Sequence, residues 1–274
     1  MTRIGLTTAR LSFAALCLVL GTVPPAHGAS PAGLSLAVHP TRLVLVGNAE
    51  GRFEVRNPTA RELVVSASTA DFLLRPSGRM VVSKKLQTSR SAKSWLTVSP
   101  STLRLAPHVT ETVRVLSHPA GNASPGDHHA LVVFTTVPSG SGIVRTRTEI
   151  GLPVLVRIAG SVVRKLEIRS LTVEREARRK ALRLVLYNRG NINERLLGRS
   201  VVVRLRRHGR TVARLVPAGR SILPGERAVF SVPVPERLHG AMTGEVTVRP
   251  ATADVEGAYA PPYASITRKF RISV

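Results

Sequence analysis

Cysteine is nearly missing from this chain of 274 residues, where Cys17 stands alone. A single thiol makes no intramolecular disulfide and no multi-cysteine metal site. Aromatics are scarce too, at 4%, with Trp95 the one tryptophan, and that leaves few platforms for stacking on single-stranded nucleic acid. No uninterrupted apolar run approaches the ~20 residues that a spanning helix needs. Catalytic signatures are absent as well: there is no Gly-x-Ser-x-Gly elbow, no Walker loop and no His-Glu-x-x-His zinc helix. None of the 16 carboxylates sits in a context that marks a paired acid and base. The expectation is a protein that is not an enzyme and carries neither cofactor nor metal. The eight histidines are scattered, and the one adjacent pair, His128-His129, cannot easily share an ion because neighbours on a strand point to opposite faces. That pair is expected to be partly exposed at a strand start, with His118 the other histidine in reach.

What is present begins with a secretory pattern. Arg3 and Arg10 precede an apolar stretch over residues 11–20, and Ala26-His27-Gly28 supplies small residues at a cleavage site. Residues 1–28 therefore read as a signal peptide, and the mature chain is expected to begin at Ala29. Leu16 precedes Cys17 where a lipoprotein signal has a small residue. Beyond the signal the chain holds 38 basic and 16 acidic residues, a net +22. Such a field draws polyanions: anionic wall polymers, acidic lipid surfaces or nucleic acid, the last disfavoured for an exported protein. Arg outnumbers Lys 34 to 6, so a GC-rich genome accounts for part of the charge and a functional role for it stays open.

Short runs rich in Val, Leu and Thr recur every ~8–15 residues between Gly, Pro, Asn and Ser, without interleaved helices, which is the pattern of sandwiches. Strands are expected near 34–38, 41–46, 51–56, 62–69, 95–98, 102–105, 109–116, 128–137 and 143–158. A second series lies near 162–173, 181–187, 200–206, 211–217, 227–234, 242–249 and 265–273. Val109, Val113 and Val115 share one face of their strand, and Leu182, Leu184 and Leu186 share one face of theirs. The charged stretch at 174–180 lacks an apolar stripe at helical spacing and reads as a hairpin end. The fold class is all-β, two tandem immunoglobulin-like β-sandwiches over 29–159 and 160–274. The second half carries 23 basic and 9 acidic residues against 15 and 7 in the first. Its run RLRRHGR makes Arg204, Arg206, Arg207 and Arg210 the candidate contact for an anionic polymer, or alternatively a solvated hairpin. Trp95 reads either as a plug of the first core or as a sugar-stacking platform.

Several segments carry a resemblance: Phe53-Glu54-Val55-Arg56-Asn57-Pro58, Trp95 with Leu103, Leu105 and Pro107, and Pro125-Gly126 before Ala130–Phe134. Leu184–Asn191 and Leu223-Pro224-Gly225-Glu226 match in the second half. With these the chain resembles the WxL-interacting protein family of bacterial surface proteins. The resemblance implies a first sandwich that binds peptidoglycan and a second that binds partner proteins. Members of that family continue into a transmembrane helix and this sequence ends at Val274, so membrane anchoring is not carried over. The expected function is a secreted, non-catalytic adaptor at the cell envelope, binding cell-wall polymer or surface proteins. The alternative is a resemblance to periplasmic pilus chaperones, which also have two sandwiches in series. There the strand over 150–158, with Ile150, Leu152, Val154, Val156 and Ile158 alternating, would complete a fibre subunit by strand addition. Otherwise it is a last strand packed on its own core. Pro153 denies one ladder donor and points to an edge position.

Overall fold

Alternation along the chain becomes strands almost throughout. The computed structural model describes residues 36–83, 88–137, 147–176, 179–249 and 264–274, so the expected signal peptide lies outside the described residues. The first half contains β1 (Ala37–His39), β2 (Leu43–Val46), β3 (Ala49–Arg56), β4 (Leu63–Leu74), β5 (Met80–Ser83), β6 (Leu96–Ser99), β7 (Thr102–Leu105), β8 (Thr110–Ser117), β9 (Gly126–Val137) and β10 (Glu149–Ile158). The second half contains β11 (Leu166–Glu176), β12 (Arg179–Asn188), β13 (Glu194–Leu196), β14 (Val201–Arg207), β15 (Arg210–Leu215), β16 (Arg220–Ile222), β17 (Arg227–Pro233), β18 (Ala241–Val248) and β19 (Ile266–Ser273). Among the described residues no helix is long and apolar enough to cross a membrane.

One sheet of the first half has the order β1-β3-β8-β6, and the facing sheet has β2-β10-β9-β4-β5 with β7 also on β4. Between them lies a core that includes Phe53, Val113, Val115, Val132 and Phe134, with Phe53 and Phe134 edge-to-face at 5.7 Å. The second half pairs β11-β12-β17 and β13-β16 against β15-β14-β18-β19. Leu182, Leu184 and Leu186 are fully buried in its core, as their period of two requires. Val109 departs from expectation: it precedes β8 and is exposed, while Val113 and Val115 of that face are buried. On β19, Arg268 occupies the apolar face because its guanidinium reaches across to the Ile168 carbonyl at 2.7 Å.

Each half is pinned by a buried asparagine at a strand end. The Asn57 amide donates to the carbonyls of Arg61, Leu105 and Ala106 at 2.7–3.1 Å, and its oxygen accepts the Thr59 N–H. Asn188 does the same in the second half, donating to Ile192 and Ile222 and accepting from Gly190. An amide that satisfies both of its functions at a corner fixes the turn as Asn side chains characteristically do.

Three strands escape the periodicity reading: β5, β13 and β16. The last two have three residues each, too few to display a period. The strand expected over 143–158 is seen from Glu149, its earlier part lying outside the described residues.

Candidate functional site

The two strands flanking β10 in its sheet cover it unequally. β9 pairs with it along its whole length, Glu149 opposite Thr135 through Ile158 opposite Gly126. On the other side β2 runs parallel and pairs only with Val154, Leu155, Val156 and Arg157. Glu149–Pro153 thus has no strand on that side among the described residues. The Arg157 carbonyl accepts the Gly47 N–H at 2.9 Å, so it points to the β2 side. Strand geometry repeats every second residue, and Glu149, Gly151 and Pro153 therefore turn their backbone groups to the open edge. The N–H that Pro153 lacks is one that would have faced that edge, so the β9 ladder loses nothing. Ile150, Leu152, Val154, Val156 and Ile158 all pack on the first core: the alternating apolar set serves its own sandwich, and what is left open is main chain.

At the end of this edge a cleft lies between the two sandwiches. Its cavity, ≈ 190 Å³, is lined mainly by Phe72, Leu74, Met80, Leu155 and Leu223, with Arg42, Asn193 and Arg220 as polar members. Arg42 immediately precedes β2. Asn193 is buried, and its Oδ1 accepts no hydrogen bond among the described residues. Arg220 donates to the Pro76 carbonyl at 2.8 Å and lies over the Phe230 ring. Burial lowers its pKa from the ordinary arginine value. Leu223 is the member from the second half in an apolar cluster otherwise built from Ala70, Phe72, Leu131, Val133 and Leu155 of the first. The β9–β10 sheet is consequently apolar on both faces, and β9 is buried from Gly126 to Thr136.

Polar groups lock the cleft from behind. Arg157 makes a two-point ion pair with Asp127, 2.7 and 3.0 Å, both side chains nearly inaccessible. Asp127 also accepts the Asn193 N–H at 2.7 Å, and its own N–H donates to the Asn191 carbonyl. Gly126 sits at φ +103 against the Asn191 backbone, where a side chain has no room. A second ion pair, Arg164–Glu194, is equally buried at the junction. On the opposite flank Glu226 Oε1 accepts the Leu74 N–H at 3.4 Å, and burial raises its pKa to about 7.

The histidine pair corrects its expectation: both residues are 4% exposed. His128 lies tilted against Trp95, ring centroids 4.5 Å apart, and meets the Ser124 carbonyl at 2.9 Å, while His129 lies edge-on to Phe72. Burial, then the neighbouring His128, depresses the His129 pKa to about 4. The cause of the burial is the strand itself, since β9 has apolar neighbours on both faces. No group of three His, Cys, Asp or Glu among the described residues can hold a metal. Trp95 is half-buried against the first core.

Arg204, Arg206, Arg207 and Arg210 lie on the β14–β15 hairpin, as their sequence spacing implied. Glu245 on β18 takes two of them, Arg204 at 3.6 Å and Arg206 at 3.4 Å. Arg207 donates to the His239 carbonyl, and Arg210 is exposed.

No family model matches the sequence, and no curated protein matches it. Solved structures do. The chain is similar to the YadV chaperone, 12% identical with a TM-score of 0.50, over 87% of this chain and 100% of that one. A structure of the chaperone–tip adhesin complex of CFA/I fimbriae biogenesis is 11% identical, TM-score 0.49, over 85% and 97%. A chain from the complex of Salmonella enterica SafA pilin with the SafB chaperone is 12% identical, TM-score 0.45, over 86% and 96%. At such identities the fold is what is shared: two immunoglobulin-like sandwiches in series.

Proposed function

We propose that this protein is a non-catalytic, chaperone-type binding protein that holds a subunit of a surface fibre by taking an extended segment onto the open edge of β10. The observation that carries the reading is the half-covered strand, with no strand beside Glu149–Pro153 on the β2 side among the described residues and β2 pairing from Val154 onward. Strand addition draws affinity from main-chain hydrogen bonds and specificity from side-chain pockets, and this edge has a pocket at its end. A segment laid alongside Glu149–Pro153 runs into the start of β2, beside Arg42 and the apolar cleft. A carboxylate ending there finds a guanidinium, a pairing stronger than a neutral hydrogen bond. An apolar side chain finds Phe72, Leu155 and Leu223. The fold, shared with a structure named as a chaperone, accommodates this use.

The adaptor reading, with wall polymer held by Arg204, Arg206, Arg207 and Arg210, gains less support. Glu245 and the His239 carbonyl already engage three of those four groups. Action in the envelope after export is part of the proposal.

The test is capture from an envelope extract of the native cells by the whole chain and by Glu149→Pro, which deletes an N–H from the open edge alone. The expected result is a fibre subunit retained by the parent and at least tenfold less by the variant, with an unchanged melting temperature. Equal capture by both proteins, or retention of wall fragments only, contradicts the proposal.

A further inference from the structure

The outer face of the β11-β12-β17 sheet holds a second concavity, ≈ 370 Å³, of different character from the apolar cleft. Because Leu182, Leu184 and Leu186 point into the core, Arg183, Val185 and Tyr187 of β12 project outward. Register sets Val185 between Ser170 on β11 and Val229 on β17, and Tyr187 beside Arg227. The pairing shifts between Ile168 and Ser170, so two consecutive residues, Arg169 and Ser170, turn outward between the buried Ile168 and Leu171. The result is a groove with Arg169, Arg183 and Arg227 around a floor of Val185 and Val229. Pro76 of the first sandwich closes one end, its carbonyl accepting the Val229 N–H at 2.7 Å.

Two features prepare the groove for an anion. The Tyr187 ring carries the guanidinium of Arg169 at 5.1 Å and that of Arg227 at 5.5 Å, which restrains both long side chains. Positive charge is also in excess: among the described side chains, Arg169, Arg183, Arg189 and Arg227 stand against the carboxylates of Glu167 and Glu174. Glu167 pairs with Arg169 and Arg189 at 2.7 and 3.0 Å, and Glu174 lies 3.4 Å from Arg183. Arg227 forms no ion pair among the described residues. The Arg183–Glu174 pair is open to solvent, 39% and 48% exposed, and such pairs are weak enough to yield to a better anion.

We infer that this groove is a binding site for a phosphate group, with Arg183 and Arg227 supplying its charge, Arg169 assisting, and the Val185–Val229 floor receiving the carbon of a phosphoester. Guanidinium forks match a tetrahedral oxyanion through paired N–H donors, and several forks suit a dianion better than a single carboxylate. The site lies on a sheet face whose main chain is already paired, so an acidic peptide gains no ladder here.

The probes are inorganic phosphate, glycerol phosphate and phosphatidylglycerol vesicles, each titrated into the whole chain at low salt. Saturable phosphate binding is expected, weakened at least tenfold in R183S/R227S and less than twofold in R204S/R210S, which removes the same charge elsewhere. Arg227→Gln alone reports the same loss in smaller degree should the double variant fail to fold. Glycerol phosphate binding without vesicle binding identifies a soluble phosphoester as the source, and tighter vesicle binding identifies a lipid headgroup. Non-saturable binding, equal losses in both double variants, or a poly-glutamate that binds more tightly than phosphate overturns the assignment.

Discussion

At the scale of single residues, the junction depends on a charge that has no water to fall back on. Arg157 and Asp127 are buried together, and Asp127 also holds the Asn193 N–H. Removing one partner of a buried pair strands the other, at a cost of about 3–5 kcal/mol. Asp127→Ala is expected to lose stability of that order in urea unfolding, and D127L/R157M, which removes both charges, to lose clearly less. His129 adds a pH dependence. Its pKa falls from 6.5 in the unfolded chain to about 4 in the fold, so the unfolded state binds the proton first as pH drops. The stability tied to neutral His129 is full above about pH 6.5 and lost as pH falls through about 4, on the order of 3 kcal/mol in all. Comparing unfolding of the parent and His129→Gln between those limits isolates it: the variant lacks this part of the acid sensitivity. A pH-independent difference between the two proteins contradicts the assignment.

At the scale of elements, the β4–β5 hairpin of the first sandwich grips the second. The Pro76 carbonyl accepts from both Val229 and Arg220, and Glu226 answers with a carboxylate at the Leu74 N–H. With its pKa raised from 4.5 to about 7 by burial, Glu226 holds its proton longer in the fold than in the unfolded chain. Its favourable contribution is therefore present below about pH 4.5 and lost as pH rises through 7. Glu226→Gln is expected to be more stable than the parent at pH 8 and equal to it at pH 4, read by thermal unfolding; greater stability at both pH values contradicts this. Glu226 directly precedes β17, and that strand was legible over 227–234 because its pattern is local. Nothing local says that the Glu226 side chain crosses to another sandwich. The same limit explains β9. Alternation announces a strand with one wet face, as in β12 and β8, and a strand buried on both faces such as β9 shows no alternation, so His128 and His129 read as exposed. The open edge of β10 was half legible: Pro153 marked an edge position, whereas the extent of β2 cover depends on where a parallel strand distant in sequence happens to stop.

At the scale of the whole molecule, each sandwich has its own apolar core, and residues Leu34–Val274 nevertheless form one compact unit. We propose that fragments 29–160 and 160–274 each fold and melt cooperatively, since the main core of each is built from its own residues, with Leu223 crossing into the smaller outer cluster of the first. The first fragment should be the more destabilised, because it loses the Asn193 N–H to Asp127 and uncovers the apolar outer face around Leu131 and Leu155. Circular dichroism melts of both fragments check this, and a fragment that stays unfolded contradicts it. Strand addition at the edge of β10 is read out by amide exchange at Gly151. Its N–H faces the open side, so in the free protein it should exchange rapidly while the β9-facing amides of Leu152 and Val154 stay protected. On capture of a fibre subunit, exchange at Gly151 should slow by at least tenfold, with Leu152 and Val154 unchanged. A Gly151 amide that exchanges at the same rate in the free and the loaded protein would contradict strand addition at this edge.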